Sequence, residues 1–209
     1  MKSTKILAAI LAMFICATTL GAQTAEEILQ KMSEQLARAD AEGFAMDLNM
    51  KLPIIGWVKT HSLMRGDKMR VEISGNDKTS VAWTDLVTQW EYNAQTNEIT
   101  ITKRDAAKKD DNSDLSTFGD IADGYDLSIT KETADVWYIL CKRSKGNKDK
   151  DAPKKMDLAV AKATYLPVYL KLKKSILEMS MENVTLGVSE ASVTFNAAEF
   201  PTATIVDKR

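Results

Sequence analysis

The sequence predicts a mainly β (α+β) fold, in which a curved antiparallel sheet forms an incomplete, open barrel covered by an N-terminal helix and a short inserted lid helix. An amphipathic helix pattern opens the globular part of the chain, and about ten short alternating segments follow it. Strands at this spacing are typical of a meander sheet or barrel rather than of βαβ units. A sheet of that size tends to curl into a barrel or half-barrel, so the helices are expected over its open side.

The opening helix is predicted from "TAEEILQKMSEQLARADAEG". Thr24 is the N-cap candidate and Glu27 stands three residues on, as a capping box requires. Apolar residues recur at i, i+4, i+8 and i+11, which gives one apolar stripe. Gly43 is the predicted end of the helix.

The strands are predicted from alternation of apolar and polar residues and from turn residues between them. The clearest is "FAMDLNMKL", which Pro53 ends. The predicted strands are Phe44–Leu52, Trp57–Met64, Met69–Ile73, Val81–Thr84, Gln89–Asn93, Glu98–Lys103, Val136–Arg143, Met156–Ala161, Pro167–Leu172 and Ile176–Glu182.

A charged stretch, "KRDAAKKDDNSDLSTFGDIADGYD", interrupts the strands after Lys103. Leu115, Phe118 and Ile121 stand there at helical spacing, with Ser113 or Asp114 as a cap. This pattern predicts the short inserted helix, connected loosely at both ends.

Residues 1–22 have the layout of a secretory signal peptide: Lys2 and Lys5, an apolar run over Ile6–Cys16, then small and polar residues. Bulky residues before Cys16 argue against a lipid anchor. Removal of residues 1–22 leaves a single domain over 23–209, in which Cys141 has no cysteine to pair with. This stretch therefore predicts a secreted protein without a lipid anchor and without a disulfide.

Signs of catalysis are weak in this sequence, and the chain is not expected to be an enzyme. His61 is the single histidine, and the sequence contains neither CxxC nor HExxH. Cys141 is interpreted as an inert buried thiol. No catalytic residue, metal site or cofactor is expected, and a net charge of −1 argues against a nucleic-acid partner.

Methionine is frequent in the predicted strands, which carry Met46, Met50, Met64, Met69, Met179 and Met181. This flexible, polarisable side chain suits surfaces that adapt to variable apolar ligands. Strand methionines and tryptophans also form ordinary packed cores, and periodicity alone does not separate a core from a lined cavity.

Four segments resemble the periplasmic lipoprotein carriers of the Lol system, the LolA-like family in a superfamily that also includes lipoprotein acceptors and lipid-binding sensors. They are the N-terminal segment through "GFAMDLNMKL", the hairpin "SLMRGDKMRVEI", "TDLVTQWEYN", and "ATYLPVYLKLKK" with the ending "FPTATIVDKR". The resemblance extends from Ala25 to Arg209. The sequence departs from the family pattern at Gly66, Met69 and Leu86, which stand where the family has proline, an aromatic residue and glycine.

The resemblance implies an open antiparallel barrel whose apolar cavity holds acyl chains of lipoproteins in transit from the inner to the outer membrane. The residues expected to line this cavity are Leu48, Met50, Met69, Val71, Trp90, Leu170, Met179 and Met181. Arg65 stands where the family has an arginine that contacts the lid, and Arg70 is the alternative for that polar contact. Leu115 and Phe118 are the expected lid residues.

The implied partners are acylated lipoproteins as cargo, an inner-membrane lipoprotein-release transporter and an outer-membrane acceptor. The resemblance also implies a periplasmic location, and the protein itself is expected to be a monomer. The alternative is a lipid- or lipoprotein-sensing regulatory module on the same fold, which acts on a membrane partner.

Overall fold

The structure is a computed structural model, and it describes residues 23–75, 78–104, 123–150, 152–174 and 177–209. These residues form one open twelve-stranded sheet, with an N-terminal helix on one face. The predicted fold class, an incomplete antiparallel barrel with an N-terminal helix, is confirmed. The inserted lid helix, with Leu115 and Phe118, lies outside the described residues.

The helices are short apart from the first. They are α1 (Ala25–Leu36), α2 (Ala39–Glu42) and α3 (Glu190–Val193), with one 3₁₀ turn at Ala197–Glu199. The strands are β1 (Phe44–Leu52), β2 (Gly56–Arg65), β3 (Lys68–Gly75), β4 (Lys78–Thr84), β5 (Thr88–Asn93), β6 (Glu98–Lys103), β7 (Tyr125–Glu132), β8 (Val136–Arg143), β9 (Lys155–Ala161), β10 (Pro167–Lys174), β11 (Leu177–Leu186) and β12 (Thr204–Asp207).

The sheet consists of two meanders joined through β1. Its order is β12-β6-β5-β4-β3-β2-β1-β11-β10-β9-β8-β7. All neighbours are antiparallel except β12, which runs parallel to β6. Strand β1 therefore has β2 on one side and β11 on the other, and β6 and β7 lie far apart in the sheet although they are consecutive in the chain.

Alternation along β1 defines the two faces of the sheet. Phe44, Met46, Leu48 and Met50 point to the face on which α1 packs, which we call the helix face. Asp47 and its alternate neighbours point to the other face. We call that the tail face, because residues 188–203 pack over part of it.

Helix α1 begins with the predicted capping box. The Thr24 side chain accepts from the Glu27 N–H, and the Glu27 carboxylate accepts from the Thr24 N–H. The apolar stripe of the helix is buried against the helix face, where Ile28 and Met32 are fully excluded from solvent. The sequence predicted one helix that ends at Gly43. In the structure the first helix ends at Leu36, with Ala37 as its C-cap, and the separate short helix α2 follows before Gly43.

Gly43 permits the sharp entry into β1. Its φ is +72°, and a Cβ at this position would lie 2.7 Å from the Met64 carbonyl oxygen and 3.0 Å from the Val188 Cβ. Its own carbonyl oxygen accepts a hydrogen bond from the Gly187 N–H at 3.0 Å. Glycine is therefore required where the helical segment, β1 and the end of β11 meet.

Cys141 lies in the core under α1, between residues of β7 and β9. Its side chain is fully buried, and burial raises the pKa of its thiol to about 11. A buried neutral thiol is a packing group, as the sequence predicted.

The tail face carries an aromatic cluster of Trp83, Trp90, Tyr92, Phe195 and Phe200. Trp83 is buried and meets the rings of Phe195 and Phe200 edge-on at 5.4 and 5.6 Å. Trp90 stacks on Phe195 at 5.4 Å, and Tyr92 contacts Phe200 at 4.4 Å. The C-terminal segment thus supplies the cover for this half of the sheet.

Two strands were not predicted from the sequence, which indicated about ten strands where the structure has twelve. Strand β7 follows the charged stretch, and its alternation of Tyr125, Leu127 and Ile129 is the signal that would have located it. Strand β12 has four residues with adjacent Ile205 and Val206 and no alternation, so its pairing with distant β6 leaves no local signal.

We expect Met32→Ala to destabilise the fold by roughly 2–5 kcal/mol, because it leaves a cavity between α1 and the sheet. The free energy of unfolding is measured by urea denaturation. Gln30→Ala on the exposed side of the same helix is the control and should change stability by no more than about 0.5 kcal/mol. Equal effects of the two substitutions would contradict the burial assigned to α1.

Cys141 should react slowly with an alkylating reagent in the native protein. With a pKa of about 11 against an ordinary 9.0, its thiolate fraction near pH 8 is roughly 100-fold lower than that of a free thiol. The measurement is mass spectrometry of the peptide containing Cys141, with and without denaturant. Similar rates in both conditions would show that the thiol is accessible.

Candidate functional site

The candidate site is an apolar band on the helix face. It runs across five neighbouring strands and consists of Leu48, Met50, Val58, Val71, Ile73, Leu172 and Met179. Strand register places four of its members side by side: Leu172 pairs with Met179, Met179 with Met50, and Met50 with Val58. On β2, Thr60 lies between Leu48 and Ile73, and Ser62 is the partner of Val71.

Helix α1 covers only part of this face. Leu170 and Met181 are buried in the core cluster that contains the helix residues. Leu48 and Leu172 are half-buried at the margin of that cluster. Beyond it the band is progressively less covered, and Ile73 is 40% exposed.

A groove of about 330 Å³ opens at the less covered end of the band. Ile55, Val58 and Ile73 line it together with polar residues of β4 and β5, among them Ser80 and Glu91. Its walls are therefore apolar toward β2 and β3 and polar toward β5. A second groove of about 310 Å³ lies mainly on the tail face and is lined largely by charged and polar side chains, which include Lys59, Lys171 and Glu178.

Seven of the eight expected cavity residues lie on the helix face. Five of these are half-buried: Leu48, Met50, Met69, Val71 and Met179. The other two, Leu170 and Met181, are buried beneath α1. Val58, Ile73 and Leu172 belong with them but were not identified from the sequence.

Trp90 is separated from the other seven residues. It lies on the tail face, where it stacks on Phe195. Strand β5 reads Thr-Gln-Trp-Glu-Tyr-Asn, and pairing of Trp90 with Trp83 fixes its aromatic residues on the face opposite to Met50. A single strand pattern shows which residues share a face, but not which of the two faces of the sheet that is.

Val58 was missed because two alternations compete in β2. Trp57 is the larger apolar residue, but its register partner is Lys51 on the tail face, whereas Val58 pairs with Met50. The signal that identifies Val58 is thus the pairing with β1, not the composition of β2.

Arg65 joins the helical segment to the sheet. Its Nη1 donates to the carbonyl oxygens of Glu42 at 3.0 Å and Val188 at 2.6 Å. Glu42 ends α2 and Val188 is the second residue after β11, so one guanidinium holds both segments. Its Nε lies 3.9 Å from a Glu190 carboxylate oxygen. The expected contact of Arg65 with the inserted helix falls outside the described residues.

The "RGD" tripeptide forms the β2–β3 turn. Arg65 pairs with Lys68, and Gly66 adopts a φ of +54°. Lys68 then reaches α3, where its hydrogen bond to Glu190 lowers the pKa of that carboxyl group. Gly and Asp here serve the tight turn, as the sequence indicated.

Arg70, the alternative for the polar contact, points to the tail face. Its guanidinium lies 5.3 Å from the Trp83 ring centre and 2.8 Å from a Glu72 carboxylate oxygen. Its Nε is buried with no hydrogen-bond partner among the described residues. Arg70 therefore packs under the C-terminal segment rather than beside the apolar band.

His61 lies on the exposed tail face with Asp47 and Asn183. Its Nδ1 is 2.6 Å from Asp47 Oδ1, and the Asn183 amide donates to the other carboxylate oxygen at 2.7 Å. Burial raises the pKa of Asp47, but the hydrogen bonds from Asn183 and His61 outweigh burial and lower it. The three side chains form a surface network across β2, β1 and β11.

The described residues include no group of three His, Cys, Asp or Glu side chains arranged to hold a metal ion. Within the same residues, no helix combines the length and apolar character needed to cross a bilayer.

No family model and no curated protein matches the sequence. Among solved structures, LprF from Mycobacterium bovis is 11% identical, with 79% of this chain and 93% of that chain covered and a TM-score of 0.54. A LolA superfamily protein from Nitrosomonas europaea is 11% identical, with 85% and 100% covered and a TM-score of 0.34. The MucA/MucB complex from Pseudomonas aeruginosa is 14% identical, with 83% and 61% covered and a TM-score of 0.45.

At such identities, similarity concerns the fold alone. LprF shares that fold over most of both chains. The fold of the chain itself, an open and incomplete antiparallel barrel with an N-terminal helix, is the one that its sequence predicted.

Proposed function

We propose that this protein is a periplasmic carrier that binds acyl chains of lipoproteins on the apolar band and moves them from the inner to the outer membrane. The observation that carries the proposal is that the described residues cover the helix face incompletely. An apolar surface that extends over five strands, with Thr60 and Ser62 as polar interruptions on β2, is buried at one end by α1 and left half-buried at the other.

The chemistry of the band suits acyl chains. Beyond its carbonyl group, an acyl chain offers methylene groups and no polar atoms, and each buried methylene contributes ~0.8 kcal/mol. A wall for such a ligand needs continuity rather than directed hydrogen bonds. The central residues Met50 and Met179 face each other across β1 and β11, and their flexible side chains adapt to chains of different length and position.

Arg65 supports a role in release. The two carbonyl oxygens that it binds belong to the end of the helical segment and to the second residue after β11. A change in this junction alters how α1 lies against the sheet. Release of a bound chain requires a second arrangement of the cover with a different affinity for the ligand.

The sequence of residues 1–22 supports export, and the fold of the exported part is consistent with it. The only cysteine beyond residue 22 is the buried Cys141. The described fold is therefore stabilised by packing and hydrogen bonding without a disulfide, and needs no redox partner in the periplasm. By resemblance, the proposed partners are acylated lipoproteins, an inner-membrane release transporter and an outer-membrane acceptor.

The experiment that tests the proposal is purification from periplasm followed by mass spectrometry of bound molecules. Acylated protein or lipid should copurify, and deletion of the gene should impair the sorting of lipoproteins to the outer membrane. Copurification of a membrane regulatory protein without acylated cargo would instead favour the sensing alternative. Absence of both would contradict the carrier and its alternative alike.

Met50→Asp should weaken binding of a fluorescent fatty acid by at least about tenfold, because it places a charge in the apolar wall. The neighbouring residue provides a matched control. Asn49 precedes Met50 on the same strand, and its side chain points to the tail face. Asn49→Asp should therefore have a small effect on binding. Affinities are measured by fluorescence titration.

Met179→Asp and Ser180→Asp form the corresponding pair on β11. If both members of a pair weaken binding equally, or neither does, the apolar band is not the ligand site. Circular dichroism of all four variants separates loss of binding from loss of fold.

Arg65→Leu should keep the fold, lower its stability by roughly 1–3 kcal/mol and change transfer of cargo to acceptor membranes, because two carbonyl oxygens lose their donor. Transfer of an acylated lipoprotein is followed by flotation of the membranes. Arg38→Leu is the control, since Arg38 lies exposed on the helical segment to which Arg65 binds. Unchanged transfer by Arg65→Leu would refute the role assigned to Arg65.

A further inference from the structure

The turn between β1 and β2 presents unusual apolar exposure. We call Pro53–Trp57 the hairpin tip. The Ile54 side chain is as exposed as in an extended peptide, at 107%, and Ile55 and Trp57 are 50% and 45% exposed. Single exposed apolar residues are common on protein surfaces, but three within four positions form a protruding apolar feature.

The backbone of the hairpin tip is strained at Ile54. Its φ is +72°, and the Ile55 N–H donates to the Pro53 carbonyl oxygen at 2.8 Å. A three-residue turn of this kind with a positive central φ is rare, and a β-branched residue is the least suited to it. Glycine or asparagine would fit without strain, so isoleucine here contributes neither packing nor a favourable turn. Strain of this kind is concentrated at functional sites.

Lysines surround the apolar side chains. The Lys51 ammonium lies 5.9 Å from the centre of the Trp57 ring, and Lys59 is exposed on the adjoining strand. A tryptophan with lysine beside it is typical of a membrane interface, where the ring enters the headgroup region and the ammonium contacts phosphate.

The same end of the sheet carries a second basic feature, the β8–β9 loop. Lys51 pairs with Glu178, Glu178 pairs with Lys173, and Lys155 pairs with Lys142 at the start of that loop. Antiparallel order therefore puts the hairpin tip and this loop on one edge, which we call the hairpin rim. Residues 142–155 contain seven basic and two acidic residues, a net charge of 7 − 2 = +5.

We propose that the hairpin rim docks on the surface of an anionic lipid membrane, with Ile54, Ile55 and Trp57 inserted among headgroups and the loop lysines on lipid phosphates. Positive charge with an apolar wedge is the combination that binds such surfaces, reversibly and with sensitivity to salt. This inference rests on the rim itself and does not depend on the nature of the cargo.

Docking in this orientation brings the open end of the apolar band to the bilayer. Ile55 belongs to the hairpin tip and also lines the groove with Val58 and Ile73. The surface that contacts lipid is thus continuous with the half-buried helix face. An apolar ligand then passes between bilayer and protein with little exposure to water.

Ile54→Gly tests the hairpin tip, and Leu86→Gly is its matched control. Leu86 is 62% exposed in the β4–β5 turn at the opposite rim. The purified full chains are sedimented with phosphatidylcholine vesicles containing about one third phosphatidylglycerol. Because both variants contain residues 1–22, any contribution of these residues to vesicle binding is the same in both.

We expect Ile54→Gly to bind these vesicles about tenfold more weakly, by loss of one inserted aliphatic side chain. It should also raise the melting temperature, because glycine relieves the positive φ. Leu86→Gly should bind like the original chain. Binding of a fluorescent fatty acid in solution should be unchanged by Ile54→Gly, which separates this inference from the proposed carrier function.

The charge contribution is tested by Lys145→Gln/Lys148→Gln against Lys103→Gln/Lys208→Gln. Each pair removes two exposed positive charges, from the hairpin rim and from the opposite rim respectively. Only the first pair should weaken binding, and only to vesicles that contain phosphatidylglycerol.

Three results would overturn the proposal: no vesicle binding by the original chain, equal loss with Ile54→Gly and Leu86→Gly, or equal loss with the two lysine pairs. Analytical ultracentrifugation without vesicles tests the alternative that a second copy of this chain binds the hairpin tip. If Ile54→Gly converts a dimer to a monomer, a second copy of this chain covers the hairpin tip, and the membrane assignment is wrong.

Discussion

The pairing of β1 with β11 is the constraint on which the rest of this structure depends. It is the one place where the meander of β2–β6 meets the meander of β7–β11 within the described sheet. Because Met50 lies opposite both Met179 and Val58, the same pairing makes the apolar residues of the two meanders into one surface. Gly43 and Arg65 stabilise the end of this junction, where a larger residue or a missing donor would separate helix from sheet.

The two faces of the sheet are covered in different ways. On the helix face, α1 packs deeply over one part and leaves the remainder half-buried. On the tail face, aromatic rings from the C-terminal segment pack against Trp83 and Trp90. Both faces therefore contain closely packed regions, whereas the part of the helix face beyond α1 keeps apolar area accessible. A protein that binds apolar ligands needs both, since the exposed area must be supported by a well-packed remainder.

The sequence predicted those elements whose cause is local. The alternation in β1 and the capping box of α1 are properties of a few adjacent residues, and both are present as expected. The sheet face on which Trp90 lies could not be predicted from adjacent residues. It depends on the pairing of β5 with β4, and the orientation of β4 is fixed in turn through β3 and β2. The same holds for β12, which exists because it meets β6 across about a hundred intervening residues. Arg65 was selected through resemblance, and its partners Glu42 and Val188 are distant in sequence.

The parallel strand β12 also determines when this protein can finish folding. Parallel neighbours cannot form a hairpin, so the segment between β11 and β12 has to cross the tail face before β12 pairs with β6. Until residues 188–207 arrive, the rings of Trp83, Trp90 and Tyr92 have no cover, although their own strands form from local contacts. An aromatic sheet surface without its cover is the kind of surface that promotes aggregation. In the folded protein, Phe195 and Phe200 therefore also shield this surface from association with other chains.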